Sequence, residues 1–290
     1  MFMSSPPCAV ISSGAKRSPC NCISPRGGLS LVSCESKSIK WITKPMAKLD
    51  LVAPYHEFFQ LVPADTDELR QEVYRIRYDV YCAELGWEPP EENPGGLETD
   101  AYDATSRHCL LLHRPTGQYA GCVRLVMAGE ETGRPAIPLQ EHCRETLDPA
   151  ILDIDALPRG SFGEISRLAI RSRFRRRPGE NQTPDGMGRE LFQLQKSQRR
   201  RFPHIALGLY LGAASIGIGE GLEGVFAMME PRLARHLRIT GISFLQVGEV
   251  IDYHGPRAPF YIDRAGLFDS LRPELLELLD AIREDLGIKP

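Results

Sequence analysis

The chain has 290 residues, 42% of them hydrophobic and 25% charged, which is the balance of a globular protein with a sizeable core. The formal net charge of −3 argues against a general nucleic-acid-binding protein. No run of residues approaches the roughly 18 consecutive apolar residues of a membrane span. These totals predict a cytoplasmic protein with no transmembrane segment and no nucleic-acid partner.

Residues 1–45 differ in composition from the rest of the chain. They are rich in Ser, Pro, Cys and Gly and hold six basic residues against one acid, Glu35. They lack the sustained apolar segment of a signal peptide. We predict that residues 1–45 are disordered or a mis-assigned extension ahead of a true start at Met46, and that residues 46–290 form a single domain.

The cysteines show no metal-ligand spacing. Four of the eight lie in the first 46 residues, where Cys20-Asn21-Cys22 has no nearby histidine. The others occur singly within apolar or helical patterns and are predicted to be core residues: Cys82, Cys109, Cys122 and Cys143. The sequence therefore predicts no metal site.

A helix is predicted from Asp65, which could form a capping box with Glu68, to Gly86. Its apolar residues recur at helical spacing: Leu69, Val73, Ile76 and Val80. Arg77 and Tyr81 lie one turn apart on this helix, so one ligand could contact both side chains.

A long loop and a cluster of acids follow the helix. The segment 88–96, EPPEENPGG, cannot be regular, and long loops in compact domains are often lids. Glu98, Asp100 and Asp103 follow within six residues, either as a solvated acidic turn or as part of a site. The apolar runs 108–113 and 119–127 then predict a β-hairpin, with Arg124 as a charge that requires a partner.

The most informative stretch is 162–170, FGEISRLAI, which has the apolar character of a buried strand. Glu164 and Arg167 interrupt it, and buried charges are costly unless they are paired or face a wet cleft. They indicate either a site or an internal ion pair that only sets register.

Basic residues and glycines follow this strand. Guanidinium groups bind phosphate through paired donors, and glycines that open a helix leave backbone N–H groups free for an anion. We therefore predict a phosphate-binding site formed by Arg173, Arg175, Arg176, Arg177, Gly186 and Gly188.

Helices and strands alternate in the second half of the chain. Helices are predicted at 207–222, 231–238 and 273–286, and strands at 225–229, 242–250 and 260–263. This alternation predicts an α/β or α+β domain with a partly parallel sheet.

Two motif series resemble known acyltransferases. The first resembles the signature of the LuxI-type acyl-homoserine-lactone synthases: Arg77, Tyr81, Trp87, Asp100, Asp103, Arg124, Glu164 and Arg167. It departs at Tyr81, where those enzymes commonly carry Phe, and in a longer loop before Asp100. The second, in 229–237 and 247–263, is similar to the PEP-CTERM/exosortase system-associated acyltransferases, relatives of the LuxI-type and N-acyl amino acid synthases.

The resemblance implies a GNAT acyltransferase fold, with a mixed, twisted central sheet flanked by helices and splayed at the central strands. It implies that Glu164 is the base, directly or through water, with Arg167 and Arg124 beside it. An ionic network of Arg77, Asp100 and Asp103 would shape the acceptor pocket, with Tyr81 and Trp87 on its lid.

The implied reaction is transfer of a fatty acyl group to a small-molecule amine, such as an amino acid, by direct attack in a ternary complex. The donor would be acyl carrier protein, the expected partner, or acyl-CoA, with no bound cofactor. Two alternatives stay open. One is an acyl-homoserine-lactone synthase that uses S-adenosylmethionine, and the other is a non-catalytic GNAT-like sensor of an acylated partner.

Overall fold

The computed structural model describes residues 50–129, 136–175 and 205–289. The helices are α1 (Val52–Phe58), α2 (Asp67–Arg77), α3 (Pro138–His142), α4 (Ile205–Gly219), α5 (Pro231–Thr240), α6 (Arg264–Ser270) and α7 (Pro273–Asp285). The strands are β1 (Phe59–Pro63), β2 (Ser106–His113), β3 (Gln118–Met127), β4 (Phe162–Ile170), β5 (Gly224–Met229), β6 (Leu245–Gln246), β7 (Ile251–Asp252) and β8 (Pro256–Asp263). No helix among these residues is long and apolar enough to cross a membrane.

The strands form one mixed sheet in the order β1-β2-β3-β4-β5-β8-β6, and β7 pairs with β8. Every described pair is antiparallel except β4 with β5. The chain between β4 and β5 contains α4, as a parallel connection requires. The predicted α/β (α+β) class with a mixed central sheet is confirmed.

Two layers cover the sheet. Helices α4 and α7 lie on one face, where the largest apolar core includes Leu125 and Ile165. On the other face, α2 packs over Leu110 and Cys122, and the segment containing α3 packs over Val126 and Phe162. Since Cys122, Arg124 and Val126 alternate along β3, Arg124 lies between the two apolar clusters of this second face.

The two central strands separate part-way along their length. The β4–β5 ladder runs from Phe162 opposite Gly224 to Ile165 opposite Ala227 and stops there. Both strands continue, β4 to Ile170 and β5 to Met229. The predicted splay at the central strands is therefore confirmed, and the split opens beside Glu164 and Arg167.

Two local predictions are wrong. The N-cap of α2 is Thr66, whose hydroxyl accepts from Leu69 N at 3.3 Å, and not Asp65. Of the single strand predicted at 242–250, only Leu245–Gln246 forms a strand, β6, and β7 begins after the predicted range. Between them the backbone turns away to another partner: Val247 O accepts from Asp148 N at 2.9 Å, and Glu249 N donates to Thr146 O at 2.8 Å.

Candidate active site

A β-bulge in β4 shapes the site. Cys122 of β3 lies opposite Ala169 and Arg124 opposite Ser166, so one residue of β3 faces two residues of β4, Arg167 and Leu168. Arg167 adopts the left-handed region with φ 49°. A bulge re-aims the side chain it carries. Arg167 is thereby brought to the α2 side of the sheet, which Ser166 also faces.

Tyr81 contacts the bulge from the α2 face of the sheet. It lies in the π-helical segment Tyr78–Glu84 that continues α2, and its hydroxyl donates to Leu168 O at 2.9 Å. The guanidinium carbon of Arg167 lies 5.6 Å from the centre of the Tyr81 ring. Because Tyr81 is buried, its pKa is raised above the usual range for tyrosine. The hydroxyl therefore stays protonated and donates to a carbonyl that the bulge removes from the ladder.

Arg77 and Arg167 share the buried acid Glu98. Arg77 is fully buried and donates to Glu98 through Nε and to Asp103 Oδ1 at 2.6 Å. Arg167 Nε donates to Glu98 Oε1 at 3.1 Å, and its Nη2 donates to Glu88 Oε1 at 3.1 Å. The network thus ties α2 and the loop 88–98 to the bulge.

Arg124 links the other acids to β4. Its Nη1 donates to Asp100 Oδ1 at 2.5 Å and to Asp103 Oδ1 at 2.9 Å, and its Nε donates to Ser166 Oγ at 3.0 Å. Burial alone would raise the pKa of Asp103, but Arg77 and Arg124 outweigh it and hold that pKa at about 2. Both acids are therefore ionised at neutral pH.

Asp100 and Asp103 also hold their own backbone. Asp100 Oδ1 accepts from Tyr102 N at 2.9 Å, and Asp103 Oδ2 accepts from Asp100 N at 2.8 Å, which makes a capping box around the turn Ala101–Thr105. Carboxylates that make this many contacts have little freedom to react. Their geometry suits positioning of the arginines.

Glu164 stands apart from this network. It is 3% exposed, and its Oε2 accepts from Leu139 N at 2.7 Å. Burial raises its pKa to about 7, against the lowering effects of the Leu139 hydrogen bond and of Arg124 and Arg167. No described arginine or lysine forms an ion pair with it. Glu164 and Arg167 are therefore not an internal ion pair, and Glu164 can exchange a proton near neutral pH.

A cleft occupies the split between β4 and β5. Its walls come from β4, β5, α4, α5 and β8 and include Ile165, Ser166, Arg167, Tyr210, Met228 and Arg257. A second, apolar pocket shares Ile165 and Tyr210 with it and continues between α4 and β5 past Ala214 and Leu267. The cleft therefore joins the polar face of the sheet to an apolar space under α4.

Trp87 lies beside the cleft, in contact with two residues that line it, Tyr81 and Arg257. Its ring stacks on His254 with centroids 4.9 Å apart and lies 5.9 Å from the ring of Tyr81. It is half-buried, at the start of the loop that carries Glu88. Trp87 and Tyr81, both predicted on a lid, are thus neighbours in the structure.

The basic cluster after β4 is described only in part. Arg173 is exposed, with its guanidinium carbon 5.2 Å from the Phe174 ring centre, and Arg175 is buried and paired with Glu84. The remaining predicted phosphate-binding residues lie outside the described residues: Arg176, Arg177, Gly186 and Gly188. The predicted extension 1–45 also lies outside them.

Sequence reasoning missed several contributors. Glu88 was visible only as a loop acid, Glu98 only as one of three acids that could form a solvated turn or part of a site, and nothing in the sequence marked Ser166 or Leu139 as partners of Arg124 and Glu164. His108 is buried 3.6 Å from Asp103, and desolvation lowers its pKa to about 4, so it is neutral. Hydropathy does not separate such a buried, neutral histidine from a surface one.

The cysteines within the described residues are buried and free, as predicted: Cys82, Cys109, Cys122 and Cys143. Burial raises the pKa of each of these thiols, to about 11 for Cys82 and Cys143. They are therefore protonated core residues at neutral pH. In the described ranges, no group of three or more His, Cys, Asp or Glu residues is placed to hold a metal ion.

Comparison with known proteins identifies the fold. Residues 76–183 match the acetyltransferase (GNAT) domain family. The crystal structure of TofI, in a ternary complex with an inhibitor and MTA, is similar with a TM-score of 0.50 and 19% identity, over 74% of this chain and 99% of that one. The chain has a GNAT-like fold.

Sequence similarity to curated proteins is more local. An acyl-homoserine-lactone synthase of Aeromonas salmonicida is 34% identical over 104 residues, or 36% of this chain and 44% of that protein. Its counterpart in Aeromonas hydrophila is 33% identical over 104 residues with the same coverage. The chain thus spans under half the length of these relatives, and the similarity supports homology over the 104 matched residues.

Proposed function

We propose that this protein is an acyltransferase that moves a fatty acyl group from a thioester donor to the amine of a small acceptor, by direct attack in a ternary complex. The observation that carries the proposal is the split between β4 and β5, with proton-accepting Glu164 beside it and the arginine network on the same face. The similarity of residues 76–183 to the GNAT acetyltransferase family supports acyl transfer as the reaction class.

The donor arm lies in the split under this proposal. Beyond Ile165 and Ala227 the facing edges of β4 and β5 no longer pair, so their backbone groups are free to bind the amides of a pantetheine arm much as they would bind a strand. The acyl tail extends past Tyr210 into the apolar pocket under α4. The phosphates lie at the end of β4 near the exposed Arg173, whereas Arg175, also predicted as a phosphate ligand, is buried and paired with Glu84.

The chemistry then needs one base. The acceptor nitrogen attacks the thioester carbonyl carbon, and Glu164 takes the proton from nitrogen directly or through water. Collapse of the tetrahedral intermediate breaks the C–S bond, and the leaving thiolate takes the proton back from Glu164 and departs as the donor thiol. A carboxylate with a pKa of about 7 is half-ionised near neutral pH and is suited to this transfer. Arg124 and Arg167 hold Ser166 and the pocket wall in place.

Amino acids are the proposed acceptors and acyl carrier protein or coenzyme A the proposed donor carrier, in the cytoplasm. Support comes from the motifs 229–237 and 247–263, which resemble the PEP-CTERM/exosortase system-associated acyltransferases and, through them, N-acyl amino acid synthases. The structure adds that 253–257 forms part of the wall beside Trp87.

Lactone synthesis from S-adenosylmethionine is the second candidate, because the two Aeromonas relatives are acyl-homoserine-lactone synthases. Incubation of the purified full chain with acyl-CoA or acyl carrier protein, amino acids and S-adenosylmethionine separates the candidates by mass spectrometry of the products. An N-acyl amino acid supports the proposal, and an acyl-homoserine lactone selects the second candidate. Donor binding without any product would indicate a sensor and contradict both enzymatic functions.

A further inference from the structure

Arg257 is a cation in the cleft that the proposed reaction does not use. It lies near the start of β8, where Ala258 pairs with Met229 of β5, so it stands across the split from Arg167. Ala258, Phe260 and Ile262 belong to the core under α4, while Tyr261 packs against Phe226 on the opposite face. By strand alternation Arg257 shares the face of Tyr261. Its guanidinium carbon lies 5.0 Å from the centre of the Trp87 ring.

Arg257 differs in its partners from the arginines of the ionic network, and it differs from Arg232, an exposed arginine that also lines the cleft, in having a buried Nε. Arg77, Arg124 and Arg167 each bind two or more carboxylates. Among the described residues, no carboxylate pairs with Arg257, and its buried Nε makes no hydrogen bond. A buried donor without an acceptor is costly, and more so for a charged group. Its position in a cleft indicates that an anionic ligand supplies the acceptor.

The surroundings hold Arg257 in place. The turn that precedes it is closed by Gly255 N donating to Asp252 Oδ1 at 3.0 Å and by Tyr253 N donating to Gly255 O at 2.9 Å. His254 in this turn has φ 54° and stacks on Trp87. Trp87 is therefore contacted by both His254 and Arg257. An aromatic ring that orients a guanidinium leaves the edge of the guanidinium free for a bidentate anion.

We propose that Arg257 binds a carboxylate of the acceptor, so that the acceptors of this protein are amines that also carry a carboxylate, with α-amino acids as the simplest class. This inference rests on the proposed acyl transfer and adds the group that selects the acceptor. Arg257 lies on the Trp87 face of the split, where the acceptor enters, and the proposed acyl tail lies on the α4 face. The acceptor amine would then reach the thioester from the side that Glu164 faces.

The donor phosphates are the other source of an anion. Two comparisons of substrates tell whether Arg257 binds the acceptor or the donor. The first compares an amino acid with the amine that lacks its carboxylate. The second compares acyl-CoA with acyl-pantetheine, which lacks the phosphates. The variants are Arg257→Gln, Arg257→Lys and the control Arg238→Gln, which changes an exposed arginine of α5 outside the cleft.

We expect Arg257→Gln to raise KM for the amino acid about 10- to 100-fold, the effect of one lost charge-assisted bond, with a smaller change in kcat. KM for the amine without a carboxylate should stay within about twofold, Arg257→Lys should recover part of the loss, and Arg238→Gln should match the wild type. Equal losses for both acceptors would overturn the proposal. The proposal would also be overturned if Arg257→Gln raised KM for acyl-CoA but left KM for acyl-pantetheine unchanged.

A binding measurement separates failure of this inference from failure of the proposed function. Calorimetric titration of the full chain with an amino acid and with its decarboxylated amine should show tighter binding of the amino acid, and Arg257→Gln should remove this difference. If the wild type transfers no acyl group but shows this Arg257-dependent binding, the proposed function fails and the carboxylate site stands. If the wild type binds the two ligands equally well, the proposed carboxylate site is wrong.

Discussion

Glu164 and Arg167 face the same side of the sheet although they lie three residues apart on β4. In a regular strand, residues with odd spacing point to opposite faces. The bulge at Arg167, with φ 49°, changes this parity and brings its guanidinium to Glu98 and Glu88 while Glu164 stays beneath α3. Arg167 lines the cleft, while Glu164 is buried one residue before the point where β4 and β5 separate, and the two charges do not neutralise each other.

Glu164→Gln should lower acyl transfer by on the order of ten- to ten-thousandfold while the fold is retained, because the amide cannot accept the amine proton. In the wild type, kcat/KM should rise with pH through an apparent pKa of about 7, since the ionised carboxylate is the active form. The variant should lack this rise. Steady-state kinetics from pH 5 to pH 9 measures both, and wild-type turnover in the variant would remove Glu164 from the mechanism.

The same carboxyl should affect stability. Its native pKa of about 7 lies above the ordinary value of 4.5, so the folded state retains a proton that the unfolded chain has lost between these pH values. Relative to Glu164→Gln, which keeps the opposite contribution of neutral His108, the free energy of unfolding of the wild type should therefore fall as pH rises through this range. Glu164→Gln removes this dependence and should be more stable than the wild type at pH 8, as urea denaturation at pH 5 and pH 8 would test.

Tyr81→Phe should destabilise the protein by about 1–2 kcal/mol, because the Leu168 carbonyl of the bulge loses its donor in a buried place. Turnover should fall as well, since the bulge orients Arg167. Tyr119→Phe is the control: this half-buried tyrosine makes no hydrogen bond through its hydroxyl to a described residue. Urea denaturation and initial rates of both variants check the prediction, which equal effects at the two positions would contradict.

Asp103→Asn should cost about 3–5 kcal/mol at pH 7, because it removes the charge that Arg77 and Arg124 share in a buried place. The control, Asp155→Asn, breaks the exposed pair with Arg144 and should cost under about 1 kcal/mol. Thermal unfolding of the two variants measures the difference. A small effect of Asp103→Asn would mean that water replaces the carboxylate.

Ala214→Phe should shorten the acyl chains that the protein accepts, because Ala214 lines the apolar pocket under α4. Each methylene excluded from the pocket costs about 0.8 kcal/mol, or roughly fourfold in kcat/KM. The preference over a C4–C16 donor series should therefore move to shorter chains, while Ala53→Phe, on the exposed surface of α1, leaves it unchanged. An unchanged preference in Ala214→Phe would place the acyl tail elsewhere.

The sequence predicted the elements whose patterns are local. The β2–β3 hairpin, the buried strand β4 and the amphipathic α7 each follow from periodicity and turn residues, and each is present. The strand predicted at 242–250 was too long because its apolar residues suit a strand, whereas the segment that takes its backbone hydrogen bonds, 146–148, is distant in the sequence. Pairings at that distance leave no periodic signal.

The sequence predicted which residues form the site but not how they pair with each other. Spacing together with the resemblance named Arg77, Asp100, Asp103, Arg124 and Arg167, which the structure brings into one network. Which acid each arginine binds depends on the bulge, and a φ of 49° at a non-glycine residue has no sequence signature. Arg257 was visible as part of a motif, but its lack of a carboxylate partner appears only once the fold places Trp87 beside it.

A crystal structure with a non-hydrolysable thioether analogue of an acyl-CoA tests the central claim most directly. We expect the pantetheine arm to lie between β4 and β5 beyond Ile165 and Ala227, with its carbonyl near Ser166 and Glu164 and its tail beside Tyr210. An analogue bound elsewhere on the protein, with the split between the two strands empty, would contradict donor binding in the split.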